Sequence, residues 1–134
     1  FEFHNNLDPK VTIQQNFDEL LVPADHVSRS VNDTYYINET HVLRCHTSAH
    51  QAELIRNGGR RFLATGDVYR CDTVDSTHFP VFHQMEGVRL FDEKELSTLG
   101  DSVEQQVEAI GKDMRKALED MVRFIFGDVE CRWV

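Results

Sequence analysis

The stretch from Phe62 to Phe91 constrains the fold more than any other part of the chain. Aromatic and β-branched residues set among small ones make Phe62 to Arg70 a strand, and Val81 to Phe91 a second one. Between them, Cys71 to Pro80 is rich in Asp, Ser and Thr. That is too long for a tight hairpin turn, and long loops in compact domains often carry function. Successive side chains of a strand point to opposite faces. Phe62, Ala64, Gly66, Val68 and Arg70 therefore share one face, as do Phe82, Gln84, Glu86, Val88 and Leu90 on the second strand. If those faces coincide, an Arg, a Gln and a Glu converge beside a patch that Ala64 and Gly66 leave open. Charges on a part-buried sheet face are costly unless paired. The pattern thus reads either as a structural Arg70–Glu86 pair or as a site for a charged ligand.

Helices and loops surround this pair of strands. Val11 to Phe17 reads as a short strand, and Ser30 to Arg44 as a loop with one extended piece. His46 to Asn57 reads as a helix, with Ser48 and Gln51 spaced as a capping box and Gly58-Gly59 as the stop. His46 then precedes the helix and Gln51 lies in its first turn, where backbone N–H groups favour negative charge. His46 and His50 beside Cys45 raise the question of a metal. No H-E-x-x-H arrangement is present and His46 lies before the helix, so no metal ligand is assigned. Asp92 to Gly100 reads as an acidic linker. Asp101 to Phe126 is one long helix, with Val103, Val107, Ile110, Met114, Leu118, Met121 and Ile125 at three- and four-residue steps. Ser102 with Gln105 caps its start and Gly127 its end, and its stripe is expected to pack on the sheet. Val129 to Val134 reads as the start of another strand. The fold class is α+β, a mainly antiparallel sheet flanked by helices.

The chain has 134 residues, the length of one domain, with 40% hydrophobic and 28% charged residues. No apolar run approaches the roughly 20 residues that span a membrane. No transit or signal segment is recognised, and the first residue is Phe1 rather than Met, so the sequence reads as a piece of a longer protein. A net charge of −9 argues against a main nucleic-acid surface. Arg56/Arg60/Arg61 and Lys112/Arg115/Lys116 are short basic clusters interleaved with acids. Three cysteines without a C-x-x-C fit neither a disulfide framework nor a zinc site.

Motifs in four places carry a family resemblance. Val68-Tyr69-Arg70-Cys71-Asp72, then Asp75-Ser76-Thr77-His78, then Phe82-His83-Gln84-Met85-Glu86-Gly87 resemble motif 2 of class II aminoacyl-tRNA synthetases, in the form found in phenylalanyl-tRNA synthetase. The ending Gly87-Val88-Arg89-Leu90-Phe91 is similar to the single-chain organellar type. Asn16-Phe17-Asp18-Glu19-Leu20-Leu21 with Asp25-His26 and Ser28-Arg29, and His46-Thr47-Ser48-Ala49-His50-Gln51, agree in family order. The family's His-Pro is here His26-Val27, which removes a fixed backbone φ from that loop.

The resemblance implies a partial class II catalytic domain over residues 1–134: the tail of motif 1, motif 2 and a supporting long helix. Motif 3 and an anticodon-binding domain are not in this chain, so an isolated piece of this extent is expected to be inactive. The implied function is ATP-dependent activation of phenylalanine and its transfer to tRNA(Phe) in mitochondria, by an enzyme that is monomeric if it follows the organellar type. ATP and Mg²⁺ are implied cofactors, with no protein ligand for the metal. Arg70 becomes the catalytic residue, on the α-phosphate and the substrate carboxylate. Asp72, His78 and Phe82 join it around ATP, with Phe82 stacking on adenine and His78 reaching the triphosphate. Asp72 stands one methylene short of the usual Glu. His46, Ser48, Gln51, Gln84 and Glu86 would surround the α-ammonium group of phenylalanine. The rival reading is a non-catalytic synthetase-like module for binding or dimerisation.

Overall fold

The computed structural model describes residues 1–71 and 74–134. It divides into two compact units, Phe1–Leu90 and Phe91–Val134.

The first unit holds two sheets. β1 (Glu2–His4), β4 (Arg61–Tyr69) and β5 (Val81–Arg89) form one, in the order β1-β4-β5. β4 and β5 pair antiparallel and β1 runs parallel to β4. β2 (Lys10–Thr12) and β3 (His41–Leu43) form a small antiparallel pair. The fold is α+β and mainly antiparallel, as the alternation requires. On β4, Phe62, Ala64 and Val68 are buried, so the period-2 pattern does set the inner face. Val11, Val42 and Ala49 form a second buried cluster with Ile13 packed on it.

Two local expectations of the first unit are corrected. The expected strand from Val11 to Phe17 stops at Thr12. Thr12 and Gln15 form a capping box that turns the chain into α1 (Ile13–Asn16). The expected helix from His46 to Asn57 is a 3-10 turn, Thr47–His50, followed by α2 (Gln51–Arg56). It ends as expected at Gly58, whose φ is 92°. His46 lies just before this helix, as the spacing implied.

The second unit contains α3 (Glu93–Leu99) and α4 (Val103–Phe126). The acidic segment read as a linker is thus a helix, started by an Asp92/Glu95 capping box. The Ser102/Gln105 box and the Gly127 stop of α4 are both present. Val103, Val107, Met114, Leu118 and Ile125 of the α4 stripe are exposed. Val129 to Val134 forms no strand; instead the Trp133 Nε1–H donates to Glu119 on α4 at 2.7 Å. No helix among the described residues is long and apolar enough to cross a membrane.

Candidate functional site

The register of β4 against β5 decides what the inner face can do. Phe62 lies opposite Val88, Ala64 opposite Glu86, Gly66 opposite Gln84 and Val68 opposite Phe82. The two faces coincide. They do not converge, however: Glu86 lies opposite Ala64, and Arg70 stands six residues further along, 70 − 64. At about 3.3 Å per residue the separation is roughly 20 Å. The structural Arg70–Glu86 pair is therefore ruled out, and the polar groups form a row along the face.

One end of the row meets the turn before α2. The Ser48 Oγ–H donates to a Glu86 carboxylate oxygen, Oε2. The Thr47 N–H donates to Gln84 Oε1 at 3.3 Å. This replaces the expected Ser48 helix cap: the hydroxyl is committed to a carboxylate across the sheet instead of to its own turn. The other Glu86 oxygen, Oε1, is buried without a hydrogen-bond partner. An acceptor left open beside a neutral amide and a hydroxyl is suited to a desolvated ammonium group. Gln51 opens α2, with its N–H on the Ser48 carbonyl.

Arg70 occupies the other end. Its Nε–H donates to the Cys45 carbonyl at 3.1 Å, and its guanidinium carbon lies 5.0 Å from the centre of the Phe82 ring. It borders two clefts. One, of about 290 Å³, is lined by Phe17, Ser28, Thr34, Cys45 and His46. The other, of about 340 Å³, is lined by Thr77, His78, Phe79 and Phe82. His46 has a buried Nδ1 without a partner. Burial pushes the His46 pKa down, with the Arg70 charge adding to the shift and the Asn16 main chain opposing it. A neutral ring beside a free guanidinium leaves the local positive charge to Arg70.

The loop after β4 carries His78 on its surface. Asp75 accepts hydrogen bonds from the Thr77 N–H and hydroxyl, at 2.7 and 2.8 Å, and from the His78 N–H at 2.8 Å. The His78 ring lies 2.9 Å from Asp75, and the ring contact leads the causes that hold the Asp75 carboxyl down to about 2. Asp72, expected beside ATP, lies outside the described residues. Among the described residues no three His, Cys, Asp or Glu side chains form a metal-binding group. His50 turns away from His46, with its Nε2 2.9 Å from a nitrogen of Arg44.

The sequence assigns no contact to Arg44, and gives Asn16 only a place in a family motif. Arg44 is 3% exposed, and donates to the carbonyls of Asp67 at 2.8 Å and Leu7 at 3.2 Å. Burial lowers its pKa, opposed by Tyr69, Asp67 and Asp8. A Cβ at Gly66 would fall on the Arg44 guanidinium, which is why this strand carries glycine at that point. No local pattern signals such contacts, because the partners lie more than twenty residues away in sequence.

Comparison with known proteins bears on the family and the fold. The chain is 58% identical over 135 residues to the chloroplastic/mitochondrial phenylalanine–tRNA ligase of Arabidopsis thaliana, covering 100% of this chain and 30% of the relative. It is 46% identical over 150 residues to the mitochondrial phenylalanine–tRNA ligase of Dictyostelium discoideum, covering 100% and 33%. The chain thus spans about a third of the length of these relatives. Among solved structures, pyrrolysyl-tRNA synthetase from Desulfitobacterium hafniense superposes with a TM-score of 0.60 at 18% identity, over 98% of this chain and 44% of that one, a likeness of fold. Residues 1–133 match the family described as tRNA synthetases class II core domain (F), and the chain belongs to that family.

Proposed function

We propose that this chain is the motif-2 half of a catalytic core that activates phenylalanine with ATP and passes it to tRNA(Phe) in an organelle. The observation that carries the reading is the row on one sheet face. A guanidinium lies over an aromatic ring at one end, and a carboxylate with an open oxygen lies at the other. The relatives' names supply the amino acid and the organelle; the matrix as the compartment is part of the proposal.

Activation joins a carboxylate to the α-phosphate of ATP and releases pyrophosphate. The protein's part is to hold two anions in line and to offset charge at phosphorus. Arg70 presents a planar fork of donors for phosphate and carboxylate, fixed at Nε by the Cys45 carbonyl. Phe82 offers the ring for adenine, with the guanidinium over one of its two faces. His78 stands on the rim of the same cleft to meet the outer phosphates. Glu86, Gln84, Ser48 and Gln51 hold the ammonium end, where desolvation strengthens each contact, and His46 faces the substrate from the Arg70 side. Charge on the phosphates would be offset further by Mg²⁺, for which no residue of this chain is named as a ligand. Asp72 joins the adenine end.

Phenylalanine-dependent exchange of pyrophosphate into ATP, run on the full-length protein, tests the reading. Arg70→Ala should weaken Mg-ATP binding ten- to a hundredfold, the loss of a charged hydrogen bond of about 1.5–3 kcal/mol. Exchange with another amino acid in place of phenylalanine, or Mg-ATP binding untouched by the substitution, would refute it.

A further inference from the structure

Asn16 is completely buried at the end of α1, although it carries a polar amide. Both ends of that amide are spent on one residue. Its Oδ1 accepts from the Cys45 N–H at 3.1 Å, and its Nδ2 donates to Cys45 Sγ at 3.4 Å. Thr34 holds the same sulfur from another side, with its hydroxyl 3.1 Å away and donating to the Ser28 carbonyl at 2.7 Å. Cys45 in turn offers its carbonyl to Arg70 Nε at 3.1 Å. The next residue is His46, whose ring also meets the main chain of Asn16.

A buried amide satisfied at both ends by the same residue fixes that residue's main chain in position and orientation. The main chain of Cys45 is thereby a strut held at both of its polar groups, its N–H donating to Asn16 and its carbonyl accepting from Arg70. Arg side chains carry many rotamers, and holding Nε leaves the two terminal nitrogens aimed outward as a fork. Arg70 borders the clefts on both sides of it, so a shift of the strut would move the fork relative to both.

We propose that Asn16 is a positioning residue for Arg70, acting through the main chain of Cys45. The proposal rests on the assignment of Arg70 to ATP, and it adds to that site a residue remote from Arg70 in sequence.

Calorimetry of Mg-ATP on the full-length protein tests it, comparing wild type, Asn16→Ala, Arg70→Ala and the double variant. Val11→Ala serves as a control that loosens the neighbouring core without touching Cys45. Asn16→Ala should weaken binding about tenfold, while the double variant should bind no worse than Arg70→Ala alone. Val11→Ala should lower the unfolding midpoint and leave affinity within about twofold. If Asn16→Ala does not fold, Asn16→Ser stands in with the same expectation, since its hydroxyl is too short to span the amide's two contacts. Unchanged affinity in Asn16→Ala, or a full further tenfold loss in the Arg70→Ala background, overturns the proposal. A readout free of nucleotide separates this from failure of the ATP assignment. Proton exchange at Arg70 Nε–H, followed by NMR, should be slow in wild type and at least tenfold faster in Asn16→Ala. Equal rates overturn the positioning role even if ATP binds. No Mg-ATP binding by wild type refutes the ATP assignment, and the exchange rates then decide the positioning role alone.

Discussion

Gly66→Ala puts the buried Arg44 cluster under a defined load. The new methyl would occupy the place of the Arg44 guanidinium, so the side chain must leave. Leaving breaks its bonds to the Asp67 carbonyl at 2.8 Å, the Leu7 carbonyl at 3.2 Å and His50 at 2.9 Å. These tie the β1–β2 loop, β4 and the turn before α2 to one cation that is only 3% exposed. Disrupting a buried charged network of this kind costs about 3–5 kcal/mol. The φ of 158° at residue 66 adds about 1 kcal/mol of backbone strain for alanine. Out of a total stability of about 5–15 kcal/mol, that is a large part. The cause is separable by a double-mutant cycle with Arg44→Met, which empties the space. In that background Gly66→Ala should cost only the residual strain of about 1 kcal/mol, giving a coupling of at least 2 kcal/mol. Urea unfolding followed by far-ultraviolet circular dichroism is the assay, because the single tryptophan, Trp133, belongs to the other unit. Equal costs of Gly66→Ala in both backgrounds would show that backbone conformation, not Arg44, demands the glycine.

Three further outcomes follow from the site. Burial lowers the pKa of both His46 and His50, so between their folded values and about 6.5 the unfolded chain binds more protons than the folded one. Stability should therefore rise with pH through that window and fall on acidification below about 6.5, and His50→Gln should flatten the slope in a pH series of urea titrations. Ser48→Ala removes the hydroxyl from a carboxylate whose other oxygen already lacks a partner, and should raise the KM for phenylalanine about tenfold with the KM for ATP little changed. Asp75→Ala releases the turn that holds His78, and should weaken Mg-ATP binding several-fold in calorimetry while leaving the unfolding midpoint within experimental error.

The parts of this layout legible in the sequence are those governed by short periods. Alternation puts Phe62, Ala64, Gly66 and Val68 on one face and Phe82, Gln84, Glu86 and Val88 on another, and the structure joins the two as one face. The α4 caps were legible because Ser102 and Gln105 satisfy each other locally. Ser48 was misread for a physical reason: its hydroxyl can serve a helix end or a distant carboxylate, and only the fold brings Glu86 close. Asp92-Glu93-Lys94-Glu95 was passed over as a linker, although Asp92 and Glu95 have the spacing of a capping box. Arg70 and Glu86 were placed on the right face, but the distance between them depends on register, which periodicity alone does not give. The contacts of Arg44 and Asn16 leave no local pattern, since both act through main-chain groups of remote residues, although Asn16 belongs to a stretch that carries the family resemblance.

The parallel pairing of β1 with β4 also sets a timetable for the growing chain. Glu2 pairs with Phe62, so the first strand has no sheet to join until sixty residues later, 62 − 2. At roughly 5–20 residues per second that is a wait of about 3–12 s. During it, Phe1 beside the strand and Phe3 within it are exposed next to an unpaired strand edge, a segment open to wrong partners on the crowded surface of the ribosome. Closing a loop of that length costs entropy before any contact rewards it. The β4–β5 ribbon, built from neighbouring sequence, forms first and provides the template, and β1 joins it last although it is made before either of its strands.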